Sequence, residues 1–381
     1  MRLPPTPAAL LRPATRLRYF SDAPSKLKVP ILLIKELRDR TDVSLSRARE
    51  ALTASNLDLD GALAWIRIDN IKTGETKAAK LAERVAAEGV LALSVLSPGF
   101  GVAYDNVRAA MIELNCETDF VARSKEFNYI AAKIANSTAF FWGDEPGVEY
   151  VPLIETVPVE TLFDVPLVQM SENEASPPNY TIQSAIYEAT AMFGEKISLR
   201  RAATLAVPAS HSPGVGFRVG AHTHGGQPLS TDSASKGVQT GQIAALVSLR
   251  LRCPTRLPKT EKFASHLRTL ASSLGRQVVG FETELIGDRS GLTKGIRASP
   301  ALLAQPFDML AQENKDGEYE LRPSEDSVEK VLEDFSATYA LADDGGVQVL
   351  DLLRWKVGEG IEKPVRADFA DEVRRMTEHL N

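Results

Sequence analysis

Between Ala110 and Ile134 the chain passes from a β-prone apolar run to helical spacing across one short polar connection, and few architectures accommodate that switch. Ala110-Met111-Ile112-Glu113-Leu114 reads as a strand. Ser124, followed by Phe127, Ile130, Ala131 and Ile134, reads as an amphipathic helix with its N-cap in place. A strand that feeds directly into such a helix calls for a sheet with the helix laid over it. Thr118, Asp119 and Phe120 occupy the connection, which belongs on the surface, where Thr and Asp bond local backbone amides. Phe120 then has two readings. Either it folds back onto the core, or it stands out from a rigid mount and enters a partner's pocket, as interface anchors do.

Other elements follow from the same periodicities. Ile31, Ile34 and Leu37, then Leu45, Ala48 and Leu52, then Leu59, Ala62, Leu63 and Ile66 mark three short amphipathic helices. Ser44 is the N-cap after an Asp42-Val43-Ser44 turn, and Asn56 with Asp58 marks the second turn. So small a bundle is marginal alone. Lys72 to Ala87, rich in Ala, Lys, Glu and Arg, predicts a solvated connecting helix. Strands are expected over Gly89–Leu96, Gly101–Tyr104 and Val107–Leu114, separated by Ser97-Pro98-Gly99 and Asp105-Asn106 turn signals.

The proline- and acid-bearing stretch 152–178 reads as a boundary or extended surface segment. Ile182, Ala185, Ile186, Ala189 and Met192 form a helical stripe closed by Gly194. Strands follow over Ile197–Val207, Gly214–Ala221 and Gln242–Leu251, with a flexible Gly-, Ser- and Thr-rich loop over Gly225–Gly241. Helices over Thr260–Leu274 and Ser327–Ala340, a strand over Val347–Val357 and a short helix after Asp368 complete the chain.

Composition excludes several classes of function. At 381 residues, 44% hydrophobic and 25% charged, the chain has the make-up of a soluble globular protein of two or three domains. No apolar run approaches the roughly 20 residues that span a bilayer. The first twenty residues carry Arg2, Arg12, Arg16 and Arg18 and no acid, the composition of an organellar transit peptide, and Arg18-Tyr19-Phe20 precedes Ser21 like a processing site. Its removal takes four positive charges from a net charge of −6 and leaves about −10. So acidic a chain is repelled by phosphates, which disfavours direct nucleic-acid binding.

Cys116 and Cys253 are the only cysteines and have no partners at metal spacing. His222 and His224 share one side of a strand, but no Cys or acidic pair nearby completes a metal site. No Gly-x4-Gly-Lys-Ser/Thr loop occurs, and Gly214-Val215-Gly216 lacks the strand-to-helix context of a dinucleotide fingerprint. No nucleophile sits in a recognisable motif. Neither a catalytic residue, a cofactor nor a metal is expected.

The run Asn115-Cys116-Glu117-Thr118-Asp119-Phe120-Val121-Ala122 resembles the signature of translation elongation factor Ts. Further segments are similar to that family in the same order. They are Leu37-Arg38 with Thr41 and Ala51-Leu52; Lys77-Ala78-Ala79-Lys80 and Arg84 to Gly89; Gly194-Glu195-Lys196-Ile197 with Arg200 to Ala203; Gln305-Pro306-Phe307; Val357 to Lys363; and Asp368-Phe369-Ala370 with Glu372-Val373. The family has Gly where Asp42 and Ser44 stand, and usually Tyr where His222 stands.

This resemblance implies an α+β protein: an N-terminal three-helix bundle like the ubiquitin-associated fold, then a two-subdomain α/β core with antiparallel sheets, then a short C-terminal helix. The expected boundaries are a mitochondrial transit peptide over 1–20, the three-helix module over 29–70, a helical linker over 71–88, core subdomains over 89–175 and 179–363, and the C-terminal module over 364–381. The coiled-coil projection of many relatives, which would fall in Arg276–Leu303, is shortened or lost, because heptads are absent there. The implied function is guanine-nucleotide exchange on mitochondrial elongation factor Tu in the matrix, with no covalent catalysis. Thr118, Asp119, Phe120 and Val121 would form the exchange wedge, with Arg38, Leu45, His224 and Gly225 as further partner contacts. The competing reading is a docking protein built on the helical module, which leaves roughly 300 residues unexplained.

Overall fold

The computed structural model describes residues 29–41, 43–101, 105–143, 152–170, 179–229, 237–287, 300–314, 317–341, 343 and 345–362. The transit peptide, Asp42, most of the Gly101–Tyr104 strand, the middle of the Gly/Ser loop and the C-terminal helix fall outside those residues. The chain divides into two compact units, before and after the boundary between Trp65 and Ile66.

In the first unit α1 (Ile31–Thr41) and α2 (Leu45–Ala54) bury Ile34, Leu37, Ala48, Ala51 and Leu52. Ser44 caps α2 by accepting from the Arg47 amide at 3.3 Å. The third helix, α3 (Leu59–Leu81), is not short, and no break separates it from the expected linker helix. It also stops early, at Leu81, so 82–87 is non-helical. Within the second unit its later turns lie directly on a neighbouring helix, where a Cβ on Gly74 would stand 1.8 Å from the Tyr187 carbonyl and Lys77 Nζ donates to the Ala191 carbonyl at 3.0 Å. That packing, rather than a solvated face, carries the helix through the polar residues near 70.

The second unit mixes helices with antiparallel sheets in four layers. A five-stranded sheet runs β3 (Glu155–Val157), β4 (Ser198–Val207), β2 (Val107–Cys116), β1 (Glu88–Pro98), β6 (Val238–Gly241). Ile112, Leu114 and Cys116 of β2 face a core shared with α5 (Lys125–Phe141) and α6 (Ile182–Phe193). Val107, Ala109 and Met111 face the other way, onto Val219, Ala244, Leu246 and Trp355 of a three-stranded sheet, β10 (Val347–Lys356), β7 (Ile243–Arg252), β5 (Val215–His224). The far face of that sheet packs its Ala245, Val247, Leu249 and Leu251 on α7 (Glu261–Gly280) and α8 (Val328–Thr338). A strand at the centre of such a stack is buried on both faces, which is why the β2 run is apolar almost throughout.

Several expectations need correction. The 152–178 stretch is no mere surface segment: Glu155–Val157 adds an edge strand, and Leu162, Leu167 and Met170 are buried. The end of the Gly/Ser loop is β6, whose Val238–Gly241 pairs with Leu91–Ser94. The first sheet combines β1 and β2 with β4 and β6, which come from beyond residue 179. Met192 is half exposed, outside the α6 stripe. Helix α7 runs to Gly280, and a hairpin of β8 (Ala311–Glu313) and β9 (Tyr319–Leu321) had no signal in the sequence.

Candidate partner-docking site

The site grows from the end of the central strand. After Cys116 the chain makes a single helical turn, α4 (Asp119–Ala122), with Thr118 as N-cap. One turn cannot sustain itself in water, since nucleation fixes several residues for one hydrogen bond, so its geometry is imposed from outside. Val121 and Ala122 are buried in the core beneath it. The side-chain Nδ2 of the buried Asn128 donates to the Ala122 and Ser124 carbonyls at 2.8 Å each, and the Ser124 backbone amide donates to the Val121 carbonyl at 2.9 Å. The Cys116 thiol donates to the Thr118 carbonyl at 3.2 Å, and burial, reinforced by the Glu195 charge, pushes that thiol up to about 12.

On this mount Phe120 is 84% exposed, the most exposed large apolar residue among those described. The fold-back reading of its ring is therefore excluded. Folding forgoes roughly 1.5 to 3 kcal/mol by leaving a Phe in water, while Val121 and Ala122, the next two residues, are buried. Asp119 pairs with Arg123 at 3.2 Å, but both side chains are largely exposed and such a pair contributes little.

The remaining expected contacts fall in two places. In the first unit Arg38 is exposed and donates from Nε to the Val43 carbonyl at 3.1 Å, bridging the α1–α2 turn, and Leu45 is half exposed at the start of α2. In the second unit His224 is exposed at the end of β5, and Gly225 turns the chain at φ 75°. The Gln242 amide donates to the His224 carbonyl at 2.7 Å, holding the turn. One groove is lined by Asp119, Ala122 and Arg123 together with Gly225, Gln227 and Gln242, so the structure brings Asp119 and Gly225 to one place. His222 is half-buried, and burial, with the charges of Arg276 and His224, lowers its imidazole below the usual range. Among the described residues no group of three or more His, Cys, Asp or Glu side chains is placed to hold a metal, and no helix is long and apolar enough to cross a membrane.

Sequence reasoning missed the residues that hold Glu117 and Thr118 from a distance: Arg84, Glu195 and Lys196. Glu195 and Lys196 follow the Gly194 helix stop, but no local pattern links that loop to residues 117–118.

No family model matches the chain. It is 37% identical over 352 residues to the protein named Elongation factor Ts, mitochondrial, of Laccaria bicolor, across 91% of this chain and 96% of that one. The protein of the same name from Coprinopsis cinerea is 36% identical over 352 residues, across 92% and 97%. That of Malassezia globosa is 33% identical over 410 residues, across 96% and 98%.

Proposed function

The chain belongs to the elongation factor Ts family, the translation elongation factors of this name in mitochondria, and from that premise we propose that it is a guanine-nucleotide exchange factor that binds mitochondrial elongation factor Tu and promotes release of GDP. The observation that carries this reading is the exposed Phe120 ring on a hydrogen-bonded turn anchored by the buried Val121 and Ala122. In the proposal Phe120 enters between helices of the GTP-binding domain and disturbs the Mg2+ and phosphate contacts, and Asp119 holds the displaced helix. Thr118 and the buried Val121 serve as the mount beneath them. His224 and Gly225 extend the contact along the groove, and Arg38 and Leu45 belong to a docking module of the ubiquitin-associated type.

No covalent bond is broken in such a reaction. A surface that fits the nucleotide-free GTPase better than the loaded form weakens nucleotide binding by the same factor by which nucleotide weakens it. One buried Phe supplies roughly 1.5 to 3 kcal/mol, or about ten- to a hundredfold in affinity. Larger coupling therefore needs the other contacts as well.

The test is release of a fluorescent GDP analogue from mitochondrial elongation factor Tu, with the full chain and with Phe120→Ala. The expected result is strong acceleration by the parent, reduced about ten- to a hundredfold in the variant, whose melting temperature stays unchanged because the ring is exposed. Binding without any acceleration by the parent would refute exchange and leave a docking module.

A further inference from the structure

The turn that presents Phe120 is tied down by a carboxylate from another segment. Gly194 ends α6 in the left-handed region at φ 71°, and the next residue, Glu195, reaches across to the end of β2. Its Oε2 accepts from the Glu117 and Thr118 amides, both at 3.1 Å, and its Oε1 accepts from the Thr118 hydroxyl at 2.6 Å. The arrangement is reciprocal. Glu117 Oε1 accepts from the Lys196 amide at 2.7 Å, Lys196 Nζ donates to the Ala82 and Arg84 carbonyls at 2.6 and 2.8 Å, and the Arg84 guanidinium meets the Glu117 carboxylate at 3.2 Å.

The cap depends on this tie. Because the Thr118 hydroxyl gives its proton to Glu195, its lone pairs face the Val121 amide, which it accepts at 3.4 Å. Hydrogen bonds to an ionised acceptor are the strong ones, and a donating hydroxyl becomes a better acceptor. Glu195 thus sets both the backbone entering α4 and the rotamer of its cap.

We propose that Glu195 is a positioning residue for exchange: it fixes the Thr118 cap, and so the direction in which Phe120 leaves the surface, without touching the partner. The inference rests on the wedge reading of Phe120. In Glu195→Ala two amides and a hydroxyl lose their acceptor, and the turn loses the anchor that keeps the ring pre-organised. In Glu195→Gln the amide oxygen takes over the two backbone donors while its NH2 group donates to Thr118 Oγ1, so the backbone stays anchored.

The experiment is the GDP-release assay on Glu195→Ala, Glu195→Gln, Phe120→Ala and the double variant Glu195→Ala/Phe120→Ala. The Ala variant is expected to lose about as much acceleration as Phe120→Ala, roughly tenfold or more, and the Gln variant to recover most of it. The double variant is expected to fall no further than Phe120→Ala alone, because both changes remove one interaction. Gln277→Ala, in the α7 core, controls for general destabilisation and is expected to leave acceleration intact. If Glu195→Ala fails to fold, Glu195→Asp keeps the charge but falls short of the donors, and the same cycle is run on it. Full acceleration by Glu195→Ala (or by Glu195→Asp in its place), or losses that multiply with that of Phe120→Ala, would overturn the inference while leaving the wedge reading standing. An unchanged rate in Phe120→Ala would instead remove the wedge reading and the inference with it.

Discussion

Glu113 is a fully buried carboxylate at the centre of the larger sheet, and replacing it by Ala is expected to be among the most damaging single changes in the second unit. The register between β2 and β4 slips between Glu113 and Leu114, so Glu113 lies opposite Arg201 and Leu114 opposite Leu199. Arg200 is the extra residue of this bulge, and two successive arginines reach the same side, which a regular strand forbids. Arg200 Nη1 donates to Glu113 at 3.0 Å and Arg201 Nε at 2.5 Å. The Gly358 amide donates to the same carboxylate at 2.8 Å. Arg201 also stacks on Trp355, 4.4 Å from its ring, and donates to the Lys356 carbonyl at 3.0 Å.

The cluster thereby fastens the end of β10, in the second sheet, to the middle of the first. Removing one member of a buried pair costs about 3 to 5 kcal/mol. The arginine side chains are 27% and 22% exposed and rehydrate in part, which favours the lower end, about 3 kcal/mol. At about 2 °C per kcal/mol for a unit of this size, the melting temperature falls by roughly 6 °C. Urea unfolding of parent and Glu113→Ala, with the slope compared as well as the midpoint, measures this loss. A change smaller than about 0.5 kcal/mol would refute the reasoning, because it would place Glu113 among ordinary surface positions.

Two further outcomes follow from local geometry. Gly220 of β5 lies where a Cβ would stand 2.3 Å from the Ala271 carbonyl of α7, so Gly220→Ala must push helix from sheet and is expected to destabilise by about 1 to 3 kcal/mol, read from the urea midpoint. Burial holds the Cys116 thiol protonated in the folded state up to about 12, against an ordinary 9.0, so the unfolded chain releases its proton first as pH rises. Stability from this group is complete below about pH 9 and declines through the interval up to 12, and Cys116→Ala is expected to flatten the alkaline fall of the urea midpoint; an unchanged slope would contradict this.

Elements whose burial follows a period and whose ends carry a cap were legible from the chain alone. Ser124, Thr260 and Ser327 each accept from the amide three residues on, and Gly194 takes the left-handed stop. Elements decided by a distant partner were not. Val238-Gln239-Thr240-Gly241 has no apolar alternation and becomes a strand because β1 offers it an edge. Gly74, a weak helix former, sits inside α3 because only a residue without a side chain lets the Tyr187 carbonyl approach.

The same division runs through the candidate site. Thr118 announces a cap and Phe120 an aromatic beside it, but nothing nearby in the chain says whether the ring points inward or outward. That is settled by Val121 and Ala122, which take the core positions of a single turn, and by Glu195, which holds the residues entering the turn from the loop that follows α6. A wedge whose rigidity came from local propensity would survive loss of Glu195. One whose rigidity is tertiary would keep its motif intact and still lose its direction, and the position-195 variants separate those two cases.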